Sequence, residues 1–314
     1  MSTDFNPTNN SLNAKEYTST FELALQQKDS YLSAKVKNIS GTNADKVQEI
    51  VRYDEVNMQT MSGLNATISQ QSMPFTQRWV KGERFYASQL LNNIQQLQDM
   101  VQNPSSAIAQ VQAAAARRKM DEVILKQFFT SALTGTDAGQ TTAFDTTNNV
   151  VGVNVGGTTS GLNIEKLLNV VELMQKNEIV LEEEPAYAVI TEIQLKDLRQ
   201  KVEAMNADYQ AAHAVVRDSR GGIKSILGIE LCVISSTRLA SYVTDARLLD
   251  GSSYRRVPVF TMKGMALCTW KAQSTRIDDR QDLQGVPKQF YIEQYIGATR
   301  SDEQRVFEIK CNEA

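Results

Sequence analysis

The stretch Ile296-Gly-Ala-Thr-Arg-Ser-Asp-Glu-Gln-Arg-Val-Phe-Glu-Ile-Lys-Cys311 orders the rest of the chain. It reads as the end of one strand, a polar turn and a last strand rich in Val and Ile. Strands are expected at Gln289–Ile296 and Arg305–Cys311. Upstream, Val257–Thr261 and Met265–Trp270 carry the same pattern, and Leu227, Ile229, Leu231 and Val233 alternate within a strand expected at Ile226–Ile234. Pro185 precedes one more, Tyr187–Ile190. Two helices lie among these strands. Asn163 caps the first, whose apolar face is Ile164, Leu167, Leu168, Val171 and Met174. Thr191 and Gln194 form a capping-box pattern opening the second, which carries Leu195, Leu198 and Val202. Helices interspersed with non-consecutive strands point to α+β architecture.

Toward the N-terminus the pattern changes. After Asn103-Pro104, Ser105 is placed to cap a helix from about Ser106 to Leu133, Ala-rich at first, with Met120, Ile124 and Phe128 every four residues and Gly135 ending it. Such a helix spans roughly 40 Å. The segment Thr134–Leu162 behind it holds six glycines and many threonines and reads as a long polar loop. Residues 46–100 mix polar residues with Tyr53, Met58, Met61, Phe75, Trp79, Phe85 and Tyr86. Turn signals at Ser62-Gly63, Met73-Pro74 and Lys81-Gly82 suggest an extended hairpin, followed by a helix over Ala87–Met100. The hairpin has too few aliphatic residues to form a core, so its large side chains are better explained by contacts with neighbouring subunits. Residues 1–45 are rich in Asn, Ser, Thr and Gln, with a short amphipathic patch at Phe21, Leu25, Tyr31 and Leu32. They read as an arm that orders on a partner.

With 314 residues, 41% hydrophobic and 22% charged, the composition is that of a soluble protein of about two domains. No apolar run approaches the roughly 20 residues that cross a bilayer. The N-terminal residues lack the pattern of a signal peptide, so synthesis in a cytoplasm is expected. Cys232, Cys268 and Cys311 each sit in an apolar stretch, as buried free thiols do. The net charge of −3 and a single short basic run, Arg117-Arg118-Lys119, argue against a nucleic-acid-gripping surface.

Reactive constellations are missing. The one histidine, His213, has no nucleophile motif around it, and G-x-S-x-G, C-x-x-C and H-E-x-x-H are absent. Asp278, Asp279 and Asp282 alternate with Arg276 and Arg280, as in a loop or an intersubunit salt-bridge patch rather than a metal site. Glu182–Glu184 reads as a solvated turn. Neither Gly135–Gly139 nor Gly152–Gly161 has a phosphate-binding signature. No catalytic, cofactor-binding or metal-binding residue is assigned, no cofactor is expected, and the chain is not expected to be an enzyme.

Three C-terminal segments together resemble the final strands of tailed-phage major capsid proteins. They are Leu267-Cys-Thr-Trp-Lys-Ala-Gln-Ser-Thr-Arg-Ile277, Asp282-Leu-Gln-Gly-Val-Pro-Lys-Gln-Phe-Tyr291 and the opening stretch with its Gly-Ala-x-Arg turn. Ala114-Ala-Ala-Arg-Arg-Lys-Met-Asp-Glu-Val-Ile-Leu125 resembles the spine helix of that group, and Thr134-Gly-Thr-Asp-Ala-Gly139 the turn leaving it. The collinear series runs from about Gln26 to Cys311.

The resemblance implies the α+β Hong Kong 97-type capsid fold. Its parts would be an N-terminal arm at 1–45, an extended loop at 46–86 and a peripheral domain at 87–162 with the spine helix at about 105–133. An axial domain would occupy mainly 163–260, with strands at 261–314 returning through the axial and peripheral domains. It further implies a homo-oligomer of hexamers and pentamers closing an icosahedral shell around a double-stranded DNA genome, assembled in a host cytoplasm. Portal, scaffolding or decoration proteins are the other partners it brings, with DNA nearby but not specifically bound and no membrane. Trp79, Arg84, Phe85 and Tyr86 are the candidate intersubunit contacts, since aromatics and Arg are enriched at interface cores; intramolecular packing is the competing reading. No motif assigns a Lys–Asn cross-link, for which Lys81 is only a positional candidate. With no long scaffolding segment expected, assembly help would come from a separate protein. An encapsulin-like nanocompartment shell shares the fold and is the alternative; an uncharacterised hydrolase is the rival of another class.

Overall fold

The computed structural model describes residues 27–41, 47–61, 63, 67–68, 70–91, 104–155, 158–200, 214–217, 219, 222–242, 248 and 254–313. The described chain opens with β1 (Lys37–Ser40), β2 (Val47–Tyr53), β3 (Phe75–Lys81) and β4 (Glu83–Leu91), followed by the long helix α1 (Pro104–Gln127). Short strands come next: β5 (Ala132–Thr134), β6 (Gln140–Thr142), β7 (Val150–Val151), β8 (Asn154–Val155) and β9 (Thr158–Thr159). Helix α2 (Ile164–Lys176), β10 (Ala186–Ile190) and α3 (Glu192–Gln200) precede β11 (Val216–Arg217), β12 (Ile223–Ile226) and β13 (Ile229–Val233). The chain ends with α4 (Ser236–Tyr242), β14 (Arg255–Thr261), β15 (Met265–Asp279), β16 (Lys288–Arg300) and β17 (Val306–Cys311).

The main sheet has seven strands in the order β11-β12-β13-β10-β14-β17-β7. Its central strand β10 runs parallel to β13 and antiparallel to β14. Every residue of β10 is buried, so its sequence, Ala-Tyr-Ala-Val-Ile, shows no alternation. Leu167, Val170 and Met174 of α2 and Leu198 of α3 join Ala188, Ile190, Ile229, Val259, Phe307 and Ile309 in one core. Both helix caps form as their residues dictate. The Asn163 side chain accepts from Lys166 N at 2.8 Å. Gln194 N donates to Thr191 Oγ1, and Thr191 N donates to the Gln194 side chain. Each such cap stabilises its helix by about 1 kcal/mol.

The chain divides into two compact units. One holds residues 85–118 and 273–294 with the segment ending at Asp29; the other holds 30–84, 119–272 and 295–314. In the smaller unit Tyr86 stacks on Tyr291, Gln112 donates to Phe290 O, and Gln294 donates to Ala116 O at 3.0 Å. The larger unit contains the seven-stranded sheet and a four-stranded sheet ordered β2-β3-β5-β6, in which β2 and β3 form a long antiparallel hairpin from Val47↔Lys81 to Tyr53↔Phe75.

Arg300, with 0% exposure, is the largest fully buried side chain among the described residues. Its guanidinium donates to Phe128 O at 2.7 Å, Thr130 O at 2.8 Å and Thr142 O at 3.3 Å, and to Glu303 Oε2 at 2.6 Å. Phe128 and Thr130 directly follow α1, so one buried cation gathers carbonyls at the negative end of the helix.

Several expectations shift. Helix α1 begins at Pro104, the favoured first-turn position for proline, and ends at Gln127, not near Leu133. Phe128 turns into the core and Leu133 lies in β5. Of the helix expected at 87–100, residues 87–91 continue strand β4 with only weakly alternating burial, and the remainder lies outside the described residues. The strand expected at Ile226–Ile234 is two strands joined at Leu227-Gly228, both with positive φ. A leucine in that conformation gives no turn signal. Strand β15 runs well beyond Trp270, its outer half polar and exposed without apolar alternation, and β16 runs four residues beyond Ile296 through the buried Gly297–Arg300. The polar segment 134–162 contains β6 to β9. Glu184 is not simply solvated, being paired with Lys263 and Arg305.

Replacing Arg300 with Met leaves Glu303 and three carbonyls without their donor. A loss of about 3–5 kcal/mol is expected from denaturant midpoints, and Arg300→Lys recovers only part of it, since one ammonium cannot span these acceptors.

Candidate assembly surface

Strands β2 and β3 pair over seven residues, and backbone pairing persists at Asp54 N to Pro74 O, 3.0 Å. Beyond that pair the described residues up to Pro74 lie in no regular strand. Large apolar side chains here have no core to enter. Val51, Tyr53, Val56, Met58, Met61, Ile68, Met73 and Phe75 all stand exposed, from 46% to fully accessible. They make up eight of the twenty exposed large apolar residues of the described chain. Scattered exposed apolar groups are ordinary; a run of them on one hairpin marks a contact surface.

The four candidate contact residues lie at the root of this hairpin and in β4, and the structure treats them differently. Trp79 is half-buried, and its indole Nε1 donates to Gly135 O at 2.6 Å, so its polar edge is engaged within the chain. Arg84 is exposed and its guanidinium lies 5.4 Å from the Tyr295 ring, which itself stacks on Trp270 at 4.9 Å. Phe85 is half-buried. Tyr86 is 74% exposed, covered on one side by Tyr291. Trp79 and Arg84 belong to the larger unit and Phe85 and Tyr86 to the smaller, and the described apolar side chains between Val51 and Phe75 add to the exposed surface of the larger one. Tyr53, Met58, Met61 and Phe75 were visible in the sequence as large residues in a segment without a core, but their common exposure required the hairpin pairing.

Chemistry-bearing groups are committed elsewhere. His213 lies outside the described residues, and among the described residues no three His, Cys, Asp or Glu side chains group to hold a metal. A polar cleft of about 420 Å³ is lined by Ser160, Asn163, Asp197 and Asn312 among others, and the Ser160 hydroxyl accepts from the Asn163 side chain at 3.4 Å. The buried Lys166 beside it donates to Ser160 O at 2.7 Å and Lys310 O at 2.9 Å. In the acidic segment, Arg276 pairs with Asp278 and Arg280 with Asp282; the latter pair holds the Asp282 carboxyl down at about 2. In the basic run, Arg117 pairs with Asp29, Arg118 donates to Gln27 O, and Lys119 pairs with Glu122. No helix among the described residues is long and apolar enough to cross a membrane.

The sequence profile of the phage capsid protein family matches residues 9–313. The chain belongs to the phage capsid protein family. It is a major capsid protein, a structural subunit of the phage head shell and a component of the virion, and not an enzyme. Its fold is the Hong Kong 97-type capsid fold. Solved structures similar to this capsid protein include the capsid of cyanophage P-SCSP1u, with 10% identity and TM-score 0.71 over 97% of this chain and 94% of that one. The head structure of Helicobacter pylori bacteriophage KHP40 matches at 10% identity and TM-score 0.70 over 100% of both chains. The capsid of cyanophage Pam1 matches at 10% identity and TM-score 0.70 over 97% of each. No curated protein sequence matches the chain.

The three thiols of this capsid protein are free and buried. Burial pushes Cys268 up to about 11 and Cys311 up to about 12, and raises Cys232 despite a hydrogen bond from Lys35. They stay protonated near neutral pH, as structural rather than reactive thiols do. In the unfolded chain the same groups ionise near their ordinary value of 9.0. Their folded values being higher, the linked stability is complete below about pH 9. It falls as pH rises toward the folded values, by up to about 1.4 kcal/mol per pH unit for each thiol. Denaturant midpoints at pH 8 and pH 10.5 should therefore drop less in Cys311→Ala than in the wild type.

Proposed function

We propose that this major capsid protein assembles into hexamers and pentamers that close an icosahedral shell around double-stranded DNA. One observation carries the reading: the large apolar side chains described between Val51 and Phe75 stand exposed on the β2–β3 hairpin and the segment joining its strands. Burying them against a second copy removes apolar surface from water at roughly 25 cal/mol per Å². Heterologous contacts repeated around a ring close it, and small changes of angle between copies accommodate rings of five and six. Many such contacts stabilise a shell even where each is weak.

In this reading residues 1–45 are the arm, 46–86 the extended loop, 87–162 the peripheral domain with its spine helix, 163–260 mainly the axial domain, and 261–314 the returning strands. The pairing of β2 with β3 supports the extended loop, and the seven-stranded sheet with α2 and α3 supports an axial core. Arg84 and Tyr86 are the better-exposed of the candidate contacts, whereas Trp79 has an intrachain partner. The net charge of −3 and the paired state of Arg117, Arg118 and Lys119 fit a shell that encloses DNA without gripping it. Portal, scaffolding and decoration proteins are the additional partners of such a shell.

Electron microscopy of the purified protein is expected to show closed shells or rings of five and six; a dispersed monomer or dimer would refute the proposal. Shells filled with cargo protein and empty of nucleic acid would favour the nanocompartment alternative. Tyr53→Ser with Phe75→Ser should leave subunit stability within about 1 kcal/mol, because both side chains are exposed, while strongly reducing shell yield. Deleting residues 1–45 should likewise impair shell formation.

A further inference from the structure

The hairpin β2–β3 is fastened by charge along its paired length, at Arg78 opposite Ile50 and at Arg52 opposite Thr76 near the outer end of the ladder. Asp302 accepts from Arg52 on β2 through Oδ1 and from Arg305 Nε through Oδ2 at 3.0 Å. Arg52 also pairs with Asp54 at 3.0 Å. Glu303 takes Arg300 Nε on Oε2, and its Oε1 lies 3.2 Å from Arg78 Nη2 on β3. Arg305 continues to Glu184, which also holds Lys263 at 2.6 Å. Two arginines, one from each strand of the hairpin, thus converge on two adjacent carboxylates of a single turn.

That turn is itself immobilised. Ser301 N and Asp302 N both donate to Gly264 O, Gln304 N donates to Asp302, and Asn149 donates to Glu303 O. Arg78 is 8% exposed and its Nη1 has no acceptor among the described residues, so its attachment to Glu303 is incompletely satisfied. At the end of the ladder opposite Arg52, the single residue Gly82 links β3 to β4 under the stacked rings of Tyr295 and Trp270. A Cβ there would lie 2.5 Å from Tyr295. Gly297 of β16 lies against Lys81 O, so closely that no side chain fits between them.

We propose that the 301–305 turn is an ionic lock. Asp302 and Glu303 hold Arg52 and Arg78 and so fix the direction in which the hairpin leaves the Lys81–Gly82 joint. Backbone pairing between β2 and β3 keeps the hairpin whole, while the ion pairs, with the short β3–β5 pairing, hold it to the body of its unit. Neutralising the lock therefore loosens the hairpin as a unit without unfolding the seven-stranded sheet. A hairpin held in one direction loses less conformational entropy when it meets a neighbour. This last consequence alone rests on the shell reading.

Hydrogen exchange of the full-length unassembled protein tests the lock independently of assembly. Arg52→Gln and Asp302→Asn are expected to speed exchange across 47–53 and 75–81 by on the order of tenfold, leaving β10 and β14 protected as in the wild type. Asn at 302 can still cap Gln304 N, and Arg52→Lys, which keeps the charge, should stay near the wild-type rate. Raising salt from about 0.1 to 1 M should loosen the wild-type hairpin but not the Arg52→Gln hairpin. Unchanged hairpin exchange in both neutral variants would overturn the lock. So would an Arg52→Lys rate equal to that of Arg52→Gln, or acceleration spreading equally to β10 and β14. If exchange responds as expected but Arg52→Gln assembles at the wild-type rate, the lock stands and its role in assembly falls.

Discussion

The buried guanidinium of Arg300 is the interaction on which the larger unit turns. Removing a charge from water costs several kcal/mol, and only a full set of acceptors offsets that cost. Here the acceptors are the carbonyls of Phe128, Thr130 and Thr142 and the carboxylate of Glu303. They come from the end of the long helix, the segment leading into β5, the short strand β6 and the turn before the last strand. Because a guanidinium is planar with donors at fixed angles, these segments can satisfy it only in one mutual arrangement. Phe128 and Phe144 bring apolar weight to the same place, Phe128 against Phe260 at 4.9 Å and Phe144 beneath the Arg300 guanidinium.

From that centre the charge network extends through Glu303 to the buried Arg78 and through Asp302 to Arg52, which is the more exposed of the two hairpin arginines. Interior pairs specify geometry, whereas the outer ones are partly hydrated and exchange more readily with solvent. Coupling a rigid centre to a half-exposed rim suits a subunit whose core must be unique while its projecting surface meets other copies. The exposed apolar hairpin and the tightly filled sheet core are thus two uses of the same hydrophobic effect, one completed within the chain and one completed by association.

Much of the α+β core was legible because local chemistry and tertiary demand agree there. Asn163 and the Thr191–Gln194 pair cap helices wherever they are placed, and the i, i+3, i+4 spacing of Ile164, Leu167 and Met174 leaves only one face to bury. The expected position of the extended hairpin follows from Lys81-Gly82 and from large residues without aliphatic company. Legibility failed where the physical cause lay elsewhere in the chain. The helix stops at Gln127 because Phe128 is drawn into the core beside Arg300, not because of Gly135. Leu227 adopts a positive φ because β12 and β13 must pair across it. The outer half of β15 is a strand through hydrogen bonding to its neighbours, with no apolar period to announce it.

The amino-acid sequence by itself determined the α+β class, the caps, the buried free thiols and the series of segments that resembles tailed-phage capsid proteins, because each depends on residue type and short-range spacing. Tertiary structure alone decided that Asp302 and Glu303 face Arg52 and Arg78, that Trp79 turns inward to Gly135, and that Val51 through Phe75 share an exposed surface. These are meetings between residues up to some 250 positions apart, and charge pairing at that range depends on where the strands lie, which no local pattern encodes.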